Sequence, residues 1–224
     1  MAQQLSFDLP ALTAQGRDDF FVSDANATAV ALIEGWHDWP ARKLMLCGSE
    51  GAGKTHLAHV WADLSGARII DAASLDRADI PDVAAGQVAV EDADRIAGSQ
   101  SHETAFFHLH NLVLAEGHSL LITARKPPNQ WQLTLPDLAS RMQATPTCIM
   151  GEPDDALLTA VMMKLFADRQ ILPGNGTIAY LIKRISRSFE AAHDTVAALD
   201  SLAMSTGRPV NRSLAAHLLD KSAS

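Results

Sequence analysis

The chain has 224 residues, 47% hydrophobic and 20% charged, with a formal net charge of −8. That is enough apolar material for one or two packed domains of ordinary globular composition. The acidic balance and the lack of any Lys/Arg block argue against a coat for duplex DNA, so Arg184, Arg187, Arg208 and Arg212 read first as solvated helix faces. No apolar run approaches a membrane span, and the opening MAQQLSF lacks the basic and apolar regions of a signal peptide. The expected compartment is the cytoplasm. Cys47 and Cys148 each end an apolar run and read as buried small hydrophobes, not a disulfide.

In chain order, residues 1–12 read as a flexible tail. Residues 13–151 follow as an α/β unit. Strand signals fall at Lys43–Cys47, Ala67–Asp71, Gln87–Glu91, Ser119–Thr123 and Pro146–Met150, and helices fit at Thr28–Trp36, Thr55–Leu64 and Glu103–Glu116. This alternation predicts a parallel sheet flanked by helices. After Gly151-Glu152-Pro153 only helix signals remain, so residues 152–224 form a small all-helical unit. Its first helix carries Leu157, Leu158, Val161, Met162, Leu165 and Phe166 on one face, and Leu172-Pro173-Gly174-Asn175-Gly176 is a break. Further helices are expected at Thr177–Ile185, Ser188–Ser205 and Asn211–Leu219.

The segment Gly48-Ser49-Glu50-Gly51-Ala52-Gly53-Lys54-Thr55 fits GxxxxGK[ST] at every fixed position, between a strand and a helix. Glycines let backbone amides turn inward around a polyphosphate, and the helix N-terminus adds its positive end. Gly48, Gly51, Ala52, Gly53, Lys54 and Thr55 are therefore the candidate cradle for ADP or ATP. Lys54 would reach the phosphates and the Thr55 hydroxyl would hold Mg²⁺. A chance Gly-rich turn is the alternative. Downstream, the apolar strand Val88-Ala89-Val90 ends in Glu91-Asp92. Beside a phosphate loop such a pair can complete the Mg²⁺ shell, through Glu91, and orient an attacking water; alone it would be a solvated strand end.

With these motifs in place, residues from about 17 to 220 resemble the AAA+ ATPases, and within them the DnaA/Hda family. The likeness rests on the loop followed by Thr55-His56-Leu57-Ala58-His59, the acidic strand and the α/β-then-helical order. Phe20-Phe21-Val22 with Asn26 is similar to the mouth of the family's adenine pocket, which implies a base contact for Val22. Leu121–Pro128 matches the sensor 1 strand. Leu138-Ala139-Ser140-Arg141-Met142 resembles the box VII element, which implies that Arg141 points into a neighbouring subunit's nucleotide. Ser186–Glu190 resembles the sensor 2 helix start, which implies a phosphate contact for Arg187.

Two departures stand out. Glu91-Asp92 replaces a pair of aspartates, which implies weak intrinsic hydrolysis, and Arg125 stands where the family carries an acid, leaving Thr123 as the polar candidate on that strand.

The sequence reaches Ser224 without the helix-turn-helix by which initiators read DNA, so the resemblance is to the regulatory branch of the family. Gln4-Leu5-Ser6-Phe7-Asp8-Leu9-Pro10 looks like that branch's peptide for the sliding clamp, the DNA polymerase III beta subunit. Extended backbone puts Leu5, Phe7 and Leu9 on one side at period two, with Gln4 at the edge for amide hydrogen bonds. The implied function is a nucleotide-dependent regulator that docks on the clamp, touches DNA only through it, and promotes hydrolysis of ATP held by DnaA. A helicase loader or initiation factor that turns over its own ATP is the alternative. Arg141 makes sense only across a subunit boundary, with DnaA or a second copy of the chain. The nine histidines show no HExxH pattern and no accompanying cysteines, so no metal site is expected of them. Trp36, Trp39, Trp61 and Trp131 read as core or interface anchors.

Overall fold

The computed structural model describes residues 21–222. The tail candidates Gln4, Leu5, Phe7 and Leu9 lie outside them.

The sheet is built from β1 (Lys43–Cys47), β2 (Arg68–Asp71), β3 (Val88–Glu91), β4 (Leu120–Ala124) and β5 (Thr147–Ile149), in the order β2-β3-β4-β1-β5. Each pairing is parallel, so all five C-terminal strand ends share one edge. Central β1 and β4 are buried along their whole length, as strands covered on both faces must be.

Alternate residues sort between the faces. Leu44, Leu46, Ala89 and Leu121 pack under α1 (Ala27–Glu34) and α2 (Lys54–Ser65) with Trp39 and Trp61. Trp39 stacks on Trp61 at 5.1 Å between ring centroids. On the other face Met45, Cys47, Val88, Val90, Leu120 and Ile122 meet α4 (Gln100–Ala115) and α5 (Pro136–Gln143), with one-turn α3 (Ile80–Val83) at the margin.

Strand positions match the sequence expectation to within a residue or two. The largest shortening, in β5, has a clear cause: Pro146 has no N–H to donate, so pairing starts at Thr147 while the Pro146 carbonyl accepts from Met45. Helix α4 starts three residues before the expected Glu103, and α7 stops three before the expected Ile185, at Ile182.

Past Gly151, α6 (Asp155–Asp168), α7 (Thr177–Ile182), α8 (Phe189–Thr206) and α9 (Arg212–Ser222) pack around Leu158, Met162, Phe166, Leu181, Val196, Leu199 and Leu214. Side-chain caps fix where helices of this bundle begin. Asp154 accepts from the Leu157 amide at 2.7 Å to open α6, and Ser188 accepts from the Ala191 amide at 3.0 Å to open α8.

Both cysteines are buried and unpaired. Burial, with Asp94 nearby, pushes the Cys47 thiol up to about 12. The histidines scatter. His110 is buried beside Lys43, while His56 and His59 on α2 are exposed. Among the described residues no helix is long and apolar enough to cross a membrane. No group of three or more His, Cys, Asp or Glu side chains converges among them.

His110 is 2% exposed, and burial, reinforced by the Lys43 ammonium, lowers its pKa from 6.5 to about 4. Below 6.5 the unfolded chain takes up a proton that the folded chain refuses, so stability falls as pH drops through that window. Urea unfolding between pH 7 and pH 4.5 should show this loss, up to about 3 kcal/mol. His110→Asn should flatten the slope above the carboxylate range; an unchanged slope would remove His110 as its source.

Candidate functional site

The phosphate-loop candidate leaves the C-terminal edge of the sheet directly after β1. The Gly48 amide donates to the Ala124 carbonyl at 3.1 Å, and a Cβ on Gly48 would lie 2.7 Å from the Met150 carbonyl. No larger residue fits that crossing. Gly51 and Gly53 have φ of +74° and +93°, the left-handed region that L side chains avoid. Gly53 then opens α2, whose N-terminal amides and dipole face the loop.

Ala52 is buried beside Gly48. Lys54 is also buried, and its ammonium donates to the Gly48 and Ser49 carbonyls, both at 2.8 Å. Burial lowers its pKa, while the Asp92 charge works the other way. Thr55 is exposed in the first turn of α2.

The acids lie on the same edge. Glu91 ends β3, and its Oε1 is buried with no hydrogen-bond partner. Asp92 follows at φ +53°, a left-handed conformation that aspartate tolerates better than most residues. Its amide donates to Thr123 Oγ1 at 3.0 Å and its carboxylate meets Arg95 at 3.2 Å. An orphaned carboxylate oxygen on the same sheet edge as a glycine cradle and a buried lysine suits a hard cation carried on a polyphosphate.

Arg125 is the residue that sequence reasoning undervalued. Following β4, its guanidinium holds both oxygens of Glu50, at 3.0 and 3.3 Å, and its amide donates to Asp94 at 3.0 Å. Glu50 occupies an unrestricted position of the loop motif, so no spacing rule exposes the pair. The two residues clamp the loop to the neighbouring strand end.

The helical unit closes over the loop. The Phe189 amide donates to the Gly51 carbonyl at 3.1 Å. A Cβ on Gly51 would lie 2.3 Å from Ser188 Cβ, and one on Gly53 would lie 2.6 Å from the Phe189 ring. Arg187, one residue earlier, is paired with the Asp155 carboxylate and donates to the Pro153 carbonyl at 3.3 Å. It stands beside the loop contacts, but its guanidinium is held by the connection between the two units.

That connection also holds the Val22 segment. The Asn26 side chain accepts from the Ser23 amide at 2.8 Å and donates to the Phe21 carbonyl at 2.9 Å. Burial would raise the Asp154 pKa, but hydrogen bonds from Leu157, the Ser23 hydroxyl, Ala25 and Ala156 outweigh it and hold the carboxyl below its usual range. Val22 is 37% exposed at this junction.

Arg141 is not part of this cluster. It sits in the last turn of α5, which feeds the N-terminal end of β5. In a parallel sheet that end lies opposite the loop, about 13 Å of β1 away. Its guanidinium lies 5.0 Å from the Phe107 ring centroid, with Nε buried and unpartnered.

No family model matches the chain. Solved structures do. Domain III of the replication initiation protein DnaA from Thermotoga maritima is similar over 91% of this chain and 95% of its own, at 17% identity and a TM-score of 0.76. AMPPCP-bound DnaA from Aquifex aeolicus is similar over 84% of this chain, at 18% identity and a TM-score of 0.67. The ADP complex of the FIGL-1 AAA domain is similar over 92% of this chain and 84% of its own, at 14% identity and a TM-score of 0.68. The chain has the AAA+ P-loop fold. It spans 65% of the Aquifex DnaA chain.

The glycine contacts give a direct test. Gly51→Ala places a methyl group against Ser188 at a φ that costs about 1–2 kcal/mol by itself. Amide exchange at Phe189 should accelerate, while Gly86→Ala, where a Cβ meets nothing within 4 Å, should leave it unchanged. Equal exchange in the two variants would show that the helical unit does not depend on the loop.

Proposed function

We propose that this chain is an AAA+ regulator of replication initiation of the Hda type: it binds an adenine nucleotide at its phosphate loop and promotes hydrolysis of ATP held by DnaA. The observation that carries the reading is the placement of Arg141 on the sheet edge opposite the loop. An arginine there has no path to its own chain's phosphates, so any phosphate it serves belongs to another subunit. A guanidinium offers fixed-fork donors to phosphate oxygens and keeps its charge. Delivered across a subunit boundary it stabilises charge on the transferring phosphoryl group.

The chain's own nucleotide, ADP or ATP, is assigned to the loop amides and Lys54, with its base towards Val22. Mg²⁺ would neutralise phosphate charge, held with the nucleotide by Thr55 and Glu91. Arg187 would exchange its Asp155 partner for phosphate and so tie the helical unit to the nucleotide state. Asp92 is the candidate to orient a water. The engagement of its carboxylate by Arg95, and that of Arg125 by Glu50, favour weak intrinsic turnover.

The net charge of −8 fits a protein that meets DNA through the sliding clamp and not directly. Gln4, Leu5, Phe7 and Leu9 are the proposed clamp contact.

The test is single-turnover hydrolysis of ATP preloaded on DnaA, with clamp-loaded DNA and this chain. Arg141→Ala should lower the stimulated rate by about 10³-fold or more. Undiminished stimulation by that variant, or brisk turnover by the chain without DnaA, contradicts the proposal. Replacing Leu5, Phe7 and Leu9 with alanine should abolish clamp association and leave the melting temperature unchanged. Retained clamp binding would reject the tail assignment.

A further inference from the structure

We propose that Lys43 and His110 are positioning residues for Arg141, fixing the last turn of α5 so that its guanidinium is presented outward to a second subunit. The inference rests on the reading of Arg141 given above. Lys43 is the first residue of β1 and is 6% exposed. Its ammonium reaches His110 Nε2 at 3.3 Å and donates to the Arg141 carbonyl at 3.2 Å. Lysine only donates, so Nε2 carries the lone pair and the ring proton sits on Nδ1, facing Asn111 Oδ1 at 3.4 Å.

The Arg141 carbonyl needs such partners. The Thr145 amide, its partner in a continuing α-helix, turns to the Met142 carbonyl instead, at 3.0 Å. The Arg141 oxygen is left to the Thr145 hydroxyl at 2.9 Å and to Lys43. A cation at this end also complements the helix dipole.

A buried ammonium is a costly cap. Within the described residues no carboxylate is among its hydrogen-bond or ion-pair partners, and its neighbours are a histidine and an arginine. A methionine would fill the same volume without the charge. What the lysine adds is direction. Two bonds fix its charge, which leaves the Arg141 guanidinium to take its seat over Phe107, 5.0 Å from the ring centroid. A cation–π seat is weaker than a charge-assisted bond to phosphate and is readily exchanged for one.

Helix α4 supplies the rest of the mount. Glu103, Phe107 and His110 share one face at i, i+4 and i+7. The Glu103 carboxylate, fully buried, accepts from the Gly98 amide at 2.8 Å, the Thr134 hydroxyl at 2.9 Å and the Leu135 amide at 2.7 Å. Thus α5 is pinned at its start by Glu103 and at its end by Lys43, which His110 contacts from α4, and its arginine rests on Phe107 between them.

The experiment compares the full chain with Lys43→Met, Lys43→Gln, Arg141→Ala and the Lys43→Met/Arg141→Ala pair. Stimulated hydrolysis of DnaA-held ATP is resolved into maximal rate and half-saturating concentration. Lys43→Met should lower the maximal rate about 10- to 100-fold and leave half-saturation unchanged. Lys43→Gln keeps a donor for the Arg141 carbonyl and should recover most of that loss. In the double variant Lys43→Met should cost nothing beyond Arg141→Ala. NMR of the Arg141 Nε–H supplies a readout without DnaA: slow hydrogen exchange in the wild type, fast exchange in Lys43→Met. A wild-type rate in Lys43→Met, or the same fractional loss with and without Arg141, overturns the proposal. If the wild type stimulates nothing, the functional reading of Arg141 falls and this inference with it. If Arg141→Ala alone abolishes stimulation, only the role of Lys43 is at stake.

Discussion

The structure turns on the contact between the first turn of α8 and the phosphate loop. Two glycines with left-handed backbones lie against Ser188 and Phe189 so closely that neither could carry a side chain. The Phe189 amide closes the contact on the Gly51 carbonyl. The same glycines suit two demands: the proposed turning of amides towards a polyphosphate, and a surface flat enough for a helix start to rest on. An occupant of the loop would meet the elements on which the helical unit rests. Coupling of a binding event to the orientation of α6–α9 would therefore need no long pathway between them.

A parallel sheet gives the molecule two ends of different character. At the C-terminal edge, strand ends deliver the loop, Glu91, Asp92 and Arg125 to one place, where open α/β sheets bind their ligands. At the other edge, α5 brings Arg141 beside the first residue of β1. A single buried strand therefore runs from the phosphate loop to the mount of the arginine. On the proposed reading, a nucleotide at one end and a guanidinium at the other would suit the chain to work in series with a similar chain.

Much of this was legible in the residues. The continuous apolar runs of β1 and β4 mark central strands, and GxxxxGK[ST] between strand and helix marks the loop. The period of Leu158, Met162 and Phe166 marks the inner face of α6. What stayed hidden depends on tertiary approach. Nothing in Glu50, at an unrestricted motif position, foretells its pairing with Arg125. Lys43 reads as the polar start of an apolar strand, and only the packing of α4 against α5 buries it beside His110. Likewise Arg187 is recognisable by its place before a helix, while its pairing with Asp155 depends on how the connection folds back.

The most direct measurement is calorimetric titration of the chain with ADP and with ATP in the presence of Mg²⁺, beside Lys54→Ala. If the loop under α8 is a polyphosphate seat, the wild type gives a saturable heat and Lys54→Ala gives none. A folded wild-type chain that releases no heat with either nucleotide would contradict that assignment, and the same heat from Lys54→Ala would move the site elsewhere.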